Sequence, residues 1–305
     1  MNKRSLRSSF LLFLAAFIWG VAFVAQSVGM DYMGPFTFNG ARFLMGSLVL
    51  LPLVLYRRKS TKREKKQFGS VKVTLTGGIC CGLALCSAAL FQQFGILYTT
   101  VGKAGFITTL YIIIVPIMGI FLKKKIPGKV WLAAVVAMAG MYLLCMSESL
   151  KLGKGDRYVF ICAILFSVHI LVIDYFSPRA DGVELSCLQF FTAGTVCSVL
   201  ALVFEKPEVS NFVDGIIPLA YAGIMSSGVA YTLQVVGQKD LDPTVASLIL
   251  SMESVISMLA GWVILGQAMS PRELLGCALV FGAVVMVQLP ERSIKGKAKA
   301  VKNPV

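Results

Sequence analysis

Charge is scarce in this chain. Asp, Glu, Lys and Arg supply 14% of the 305 residues, against roughly 25% in soluble domains. Acidic residues are the scarcest, 15 against 29 Lys and Arg, and there is a single histidine. The sequence lacks a CxxC pair and lacks a histidine close to any cysteine, so no zinc site of the usual spacing is expected. A GxxxxGK[ST] phosphate loop and a strand-turn-helix nucleophile elbow are also missing, which argues against direct ATP drive and against acyl-transfer chemistry. Neither a cofactor nor a metal is expected.

What is present is apolar. Residues of the AVILMFWYC set make up 57% of the chain, and mean hydropathy is +0.79. This hydrophobicity runs along the whole length rather than in one terminal stretch, so most of the surface has to face lipid. A helix crossing takes about 20 apolar residues, which leaves no room for a separate soluble domain. The eight cysteines lie nearly all inside apolar runs and read as core or lipid-facing residues. Lys3, Arg4 and Arg7 before an apolar run imitate a secretory signal. That run continues from Phe10 to about Val28 without a clear cleavage site, and is read as an uncleaved first helix.

Apolar stretches bounded by charge, Pro and Gly predict ten helices, at about 8–28, 36–56, 72–98, 104–122, 130–147, 158–175, 185–204, 216–238, 245–265 and 272–290. Counted by alternate connections, one side of the membrane holds 22 Lys and Arg and the other holds 6. The positive-inside rule then puts both termini in the cytoplasm. The net charge of +14 is therefore read as topology and not as nucleic-acid binding. The run Arg57–Lys66 is also of the kind that meets anionic lipid headgroups, although its topogenic role alone accounts for it.

The halves repeat. A shift of 147 places Phe13 over Phe160, Val21 over Val168 and Phe43 over Phe190. A shift of 142 places Gln92 over Gln234, Gly95 over Gly237, Ala104 over Ala246, Gly119 over Gly261 and Gly140 over Gly282. Five helices per unit is an odd number, so the second copy is inverted, a signature of carriers with a site near the bilayer midplane. The predicted fold is all-α and integral to the membrane, with a first five-helix repeat at 8–147, an inverted second at 156–290 and a basic cytoplasmic tail at 291–305.

The segment Thr100-Val-Gly-Lys-Ala-Gly-Phe-Ile-Thr-Thr-Leu-Tyr111, with Trp131 and Gly140 after a basic turn, resembles the fourth and fifth helices of EamA-type drug/metabolite transporters. Trp19-Gly20 and Arg42-Phe43 are similar to that family's first two helices, and Asp242-Pro-Thr-Val-Ala-Ser through Gly282 to its second repeat. The resemblance covers about residues 10–290. It implies ten helices in two inverted repeats, and carriage of amino acids, nucleotide-related metabolites or drug-like molecules, often outward. The sequence departs from the pattern at Lys124-Lys125 and at Gly266-Gln267, where the family usually has acidic residues, so coupling is not carried over from it.

An ionisable side chain inside a bilayer needs a partner, a cavity or a task. Glu253 lies roughly 12 Å inside the cytoplasmic end of the ninth segment and aligns with Tyr111. It reads as a proton acceptor or an anchor for a substrate ammonium, or else as a structural carboxyl bonded to Ser251, Ser254 or another helix. His169, mid-depth in the sixth segment, suits a proton relay or a packed neutral imidazole. Gln92 and Gln234, at matching places in the repeats, offer donor and acceptor to a zwitterion, or act as helix glue. Trp19, Tyr111, Tyr231 and Phe106 would wall a cavity that attracts cations, or simply pack. Arg42, roughly 9 Å inside the outer end of the second segment, is expected to snorkel or to pair with an interior carboxylate. Gly78-x-x-x-Gly82 permits close helix approach.

These residues together predict a secondary carrier in the cytoplasmic (inner) membrane. It would move a small polar or amphipathic organic metabolite by alternating access, outward, with protons as a candidate coupling ion and lipid as its other partner. The cavity is expected among the first, third and fourth helices and their counterparts, the sixth, eighth and ninth. A channel is the rival reading, but it needs a polar pore stripe or a ring of like charges. An enzyme reading would rest on His169-x4-Asp174, whose side chains stand about 140° apart on a continuous helix and would not converge on one substrate.

Overall fold

The computed structural model describes residues 3–63, 70–99, 101–124, 126–145, 153–265 and 270–288. Among these residues there is helix and no strand. The long helices are α1 (Lys3–Gly29), α2 (Pro35–Arg63), α3 (Val71–Ile96), α6 (Gly128–Cys145), α7 (Lys154–Phe176), α8 (Gly182–Phe204) and α14 (Pro271–Gln288). Between them lie composite segments. One is α4 (Val101–Thr108) followed by α5 (Tyr111–Phe121). A second is α10 (Ile216–Ala220), a π-helix (Tyr221–Tyr231) and α11 (Thr232–Gln238), preceded by the short α9 (Val209–Asp214). The third is α12 (Pro243–Leu250) followed by α13 (Met252–Leu265).

Eight of the resulting segments are long and apolar enough to cross a membrane, and two further apolar helices, Gly128–Leu143 and Leu274–Val287, are shorter. Large apolar side chains such as Phe10, Leu55, Phe121, Val135, Leu202 and Val263 are exposed on the outside. Water would penalise so wide an apolar surface, whereas lipid does not. The chain is a multi-pass membrane protein.

Two helices, α2 and α8, pack as an antiparallel pair held at both ends. At the start of α2, Glu205 caps the unpaired amides: its carboxylate accepts from Phe36 N at 2.9 Å, and from Thr37 N and Thr37 Oγ1, both at 2.7 Å. At the other end, Arg57 Nη2 meets Asp181 Oδ2 at 3.0 Å and Arg58 Nε meets Glu184 Oε1 at 2.5 Å. Asp181 also caps α8 itself, accepting from Val183 N and Glu184 N. Around this pair α3 packs on α7 and α8, α1 on α13, and α6 on α14. The Gly78/Gly82 pair serves the α3–α8 approach, since a Cβ at Gly82 would lie 2.7 Å from Gln189 O.

Three features interrupt regular α-helix where the segments converge. Leu110 (φ −55°, ψ −15°) and Ser251 (φ −60°, ψ −13°) sit in tight turns between α4 and α5 and between α12 and α13. Hydroxyls help to loosen both places by binding carbonyls three residues back: Thr109 to Phe106, and Ser247, Ser251, Ser254 and Ser257 to Thr244, Leu248, Ser251 and Ser254. The third is the π-helix, where Ser227 Oγ donates to Ala222 O at 2.9 Å. Short 3₁₀ and π stretches inside helices mark hinges and functional sites more often than chance.

Candidate functional site

The interruptions meet at one cavity. Its lining includes Trp19, Phe23 and Gln26 from α1, Gln92 from α3, Thr108 and Tyr111 beside the α4–α5 turn, and Phe166 and Ile170 from α7. Ser226, Tyr231 and Gln234 of the eighth segment and Leu250 and Glu253 beside the α12–α13 turn complete the wall, joined by Arg42 from α2. Counting space open to solvent, it encloses about 450 Å³.

Several of its polar groups are held in pairs. Tyr111 Oη donates to Glu253 Oε1 at 2.9 Å, and Gln92 Nε2 donates to Thr108 Oγ1 at 3.4 Å. Trp19 Nε1 donates to Ser226 O at 3.3 Å, which fastens α1 to the π-helix, and its ring lies 4.5 Å from that of Tyr231. Gln26 Oε1 and Gln234 Oε1, both buried, have no hydrogen-bond partner among the described residues.

Seven of the residues singled out from the sequence therefore line one space: Glu253, Gln92, Gln234, Tyr111, Trp19, Tyr231 and Arg42. Phe106 and His169 lie outside the lining. Phe106 packs against the buried cluster of Phe23, Ala104 and Val159. His169 sits behind the aromatic wall, with Nε2 3.1 Å from Gln189 Oε1 and its ring 6.0 Å from that of Tyr231. Asp174, its partner in the enzyme reading, is instead bonded to Lys124. Glu253 finds Tyr111 rather than the neighbouring serines, whose hydroxyls are spent on backbone carbonyls. Arg42 does not snorkel and, among the described residues, pairs with no carboxylate; it is 1% exposed and faces the cavity. Gln26, Thr108 and Ser226 were not singled out. A lone glutamine in an apolar run was the signal available for Gln26, whereas Ser226 contributes through its carbonyl, which no side-chain pattern records. Gly266-Gln267, Lys125 and the tail at 291–305 lie outside the described residues.

A model of the EamA-like transporter family matches the chain twice, over residues 6–146 and 153–289. The chain belongs to that family. An uncharacterized transporter of Archaeoglobus fulgidus is 29% identical over 279 residues, covering 91% of this chain and 84% of that protein. The uncharacterized transporter YoaV of Bacillus subtilis is 20% identical, covering 88% and 92%. The uncharacterized inner membrane transporter YedA of Escherichia coli K12 is 21% identical, covering 91% and 89%. A solved crystal structure superposes with a TM-score of 0.74 at 19% identity over 92% of this chain and 96% of that one, a likeness of fold.

Proposed function

We propose that this EamA-family protein is a secondary carrier of the inner membrane. It moves a small polar or amphipathic organic metabolite through the cavity around Tyr111 and Glu253 by alternating access, with export as the working direction. Its ten crossings form two inverted five-helix repeats, residues 8–147 and 156–290, with both termini in the cytoplasm. The observation that carries this reading is the meeting of Tyr111 and Glu253, each beside a broken helix, at one polar cavity inside an apolar bundle. Discontinuous helices around a central site are the usual means by which carriers bind solute and re-expose it. The two tight turns supply points at which each repeat bends without breaking its ends, and the two capped ends of the α2–α8 pair supply the rigid frame.

Within that reading Glu253 either anchors a solute cation or carries a coupling proton, and Gln92 and Gln234 orient the solute. The experiment is a thermal-shift screen of purified protein against amino acids, nucleosides, S-adenosyl compounds and quaternary amines, since a ligand that binds only the folded state stabilises it. Uptake of the stabilising compound is then measured in reconstituted vesicles with and without a pH gradient. Glu253→Gln should abolish transport while leaving folded yield nearly unchanged, because the amide keeps shape and hydrogen bonding but cannot ionise. Wild-type rates in that variant would refute the role of Glu253 and, with it, proton coupling through this group.

A further inference from the structure

The cavity contains a charged group that the carrier reading does not use. Arg42 is 1% exposed, and its guanidinium is oriented from two directions. Nε donates to Asn39 Oδ1 at 2.8 Å, and Asn39 is itself fixed by donating to Pro35 O at 2.9 Å and to Ala89 O of α3 at 3.4 Å. The guanidinium carbon lies 4.7 Å from the ring centre of Phe43 and 5.7 Å from that of Phe38. Phe43 is backed in turn by Phe190, 6.2 Å away with 2° between the ring planes. Nη2 is buried and has no hydrogen-bond partner among the described residues.

A buried guanidinium is costly unless an anion answers it. The residue already within hydrogen-bond reach is an amide, Asn39, where a carboxylate would have neutralised the charge. The cavity's own acid, Glu253, is bonded to Tyr111, and no ion pair joins it to Arg42 among the described residues. The arrangement orients a cation without satisfying it. Elsewhere in the lining the unanswered groups are acceptors, Gln26 Oε1 and Gln234 Oε1. One donor of positive charge and two neutral acceptors beside a carboxyl match a solute that carries charges of both signs.

We infer that Arg42 is the anion-binding group of the cavity and that the carried solute bears a carboxylate, which accepts from Nη2. This rests on the carrier reading of the same cavity and narrows its substrate class. A charge-assisted bond to guanidinium is among the strongest available in a dry site. The ammonium of a zwitterion meets the amide oxygens and Glu253, while Trp19, Phe23 and Phe166 cover its apolar part. Cations that lack an anionic group leave Arg42 unanswered and are repelled by it.

The test uses the purified full chain and matched probes on one skeleton: L-phenylalanine, 2-phenylethylamine, 3-phenylpropionate and phenyl phosphate, with L-leucine, 3-methylbutylamine and 4-methylpentanoate as a second set. Thermal unfolding is followed over a concentration series of each. The amino acid should stabilise at concentrations at least tenfold lower than the amine of the same skeleton. Arg42→Gln should erase that advantage and Arg42→Lys restore part of it. If Arg42→Gln does not fold, the wild-type comparison of each amino acid with its amine decides the matter alone. Equal stabilisation by amine and amino acid would overturn the role of Arg42, and if that response required Glu253 the carrier site would stand without it. Stabilisation by phenyl phosphate alone would overturn the carboxylate. Silence across both sets would overturn this inference, while a hit among the nucleosides or quaternary amines of the broader screen would leave the carrier reading in place.

Discussion

Tyr111 and Glu253 stand 142 residues apart and bond to each other at 2.9 Å. The same separation superposes Gln92 on Gln234 and Gly140 on Gly282, and the family model matches once on either side of the chain's midpoint. Residues at equivalent places in two copies can touch only where the copies approach their common axis. Each flanks a break in its own helix, at Thr109–Leu110 and at Ser251. The pair thus stands beside an interruption in each proposed repeat, in the wall of the cavity. Phe43 and Phe190, 147 residues apart and stacked with 2° between their planes, make a second such contact where α2 crosses α8. Two self-matched contacts at two different helix pairs fit the proposed pseudo-two-fold axis through the centre of the bundle.

Removing the hydroxyl of Tyr111 leaves Glu253 without its donor. Tyr111→Phe is expected to destabilise the protein by about 1–3 kcal/mol, the cost of an unmet buried polar group. Glu253→Gln in the same background should recover part of that loss, since an amide is cheaper to leave partly unmet than a carboxyl. Denaturant unfolding of the two single variants and the double variant in one detergent measures the coupling. Strict additivity would mean that the 2.9 Å contact carries no energy.

The long segments were legible because lipid imposes a simple rule, apolar runs of sufficient length bounded by charge. The equivalence of Gln92 with Gln234 and of Tyr111 with Glu253 was legible because the halves align at one shift, but alignment alone did not show that Tyr111 and Glu253 bond to each other. The breaks in the fourth and ninth segments were not, since Thr109 and Ser251 are unremarkable in an apolar helix until their hydroxyls are seen binding carbonyls. The π-helix left no mark on the pattern, because its serines and glycines suit ordinary helix packing equally well. Arg42 was misjudged for a related reason. Depth along a helix was readable, but the direction of its side chain depends on Asn39 and on the facing Phe43–Phe190 stack.

Close approach of α1 to α13 supports the cavity wall behind Glu253. A Cβ at Gly20 would lie 2.6 Å from Ile256 Cβ and 2.9 Å from the carbonyl oxygen of Glu253. Gly20→Ala should therefore lower stability by about 1–3 kcal/mol through overpacking, and should weaken ligand-induced stabilisation as Glu253 shifts. Gly128→Ala is the control, with nothing within 4 Å of the added carbon. Equal behaviour of the two variants in thermal unfolding would reject a tight α1–α13 contact.

The two ends of α8 lie at opposite membrane faces if the proposed orientation holds. Arg179 precedes α8 and Lys206 follows it, both exposed. A membrane-impermeant maleimide applied to intact cells should label Lys206→Cys and spare Arg179→Cys, with the reverse in inverted vesicles. Labelling of Arg179→Cys from outside would turn the whole topology over.

The ion pair between Arg58 and Glu184 should respond unequally to loss of its two members. Arg58 is half exposed at 50%, whereas the Glu184 side chain is only 6% exposed. Arg58→Ala strands a mostly buried carboxyl, whose remaining help is its place in the first turn of α8, where helix amides favour negative charge. Glu184→Ala instead leaves a half-exposed guanidinium that water can hydrate. The loss on Arg58→Ala is therefore expected at about 1–3 kcal/mol, and that on Glu184→Ala at under about 1 kcal/mol, as for exposed pairs. Unfolding of both variants at low and high salt checks the ranking. Salt should shrink the smaller effect more, because only the exposed partner is well screened. A larger loss from Glu184→Ala would mean that Glu184 holds α8 in place by packing, and not by answering Arg58.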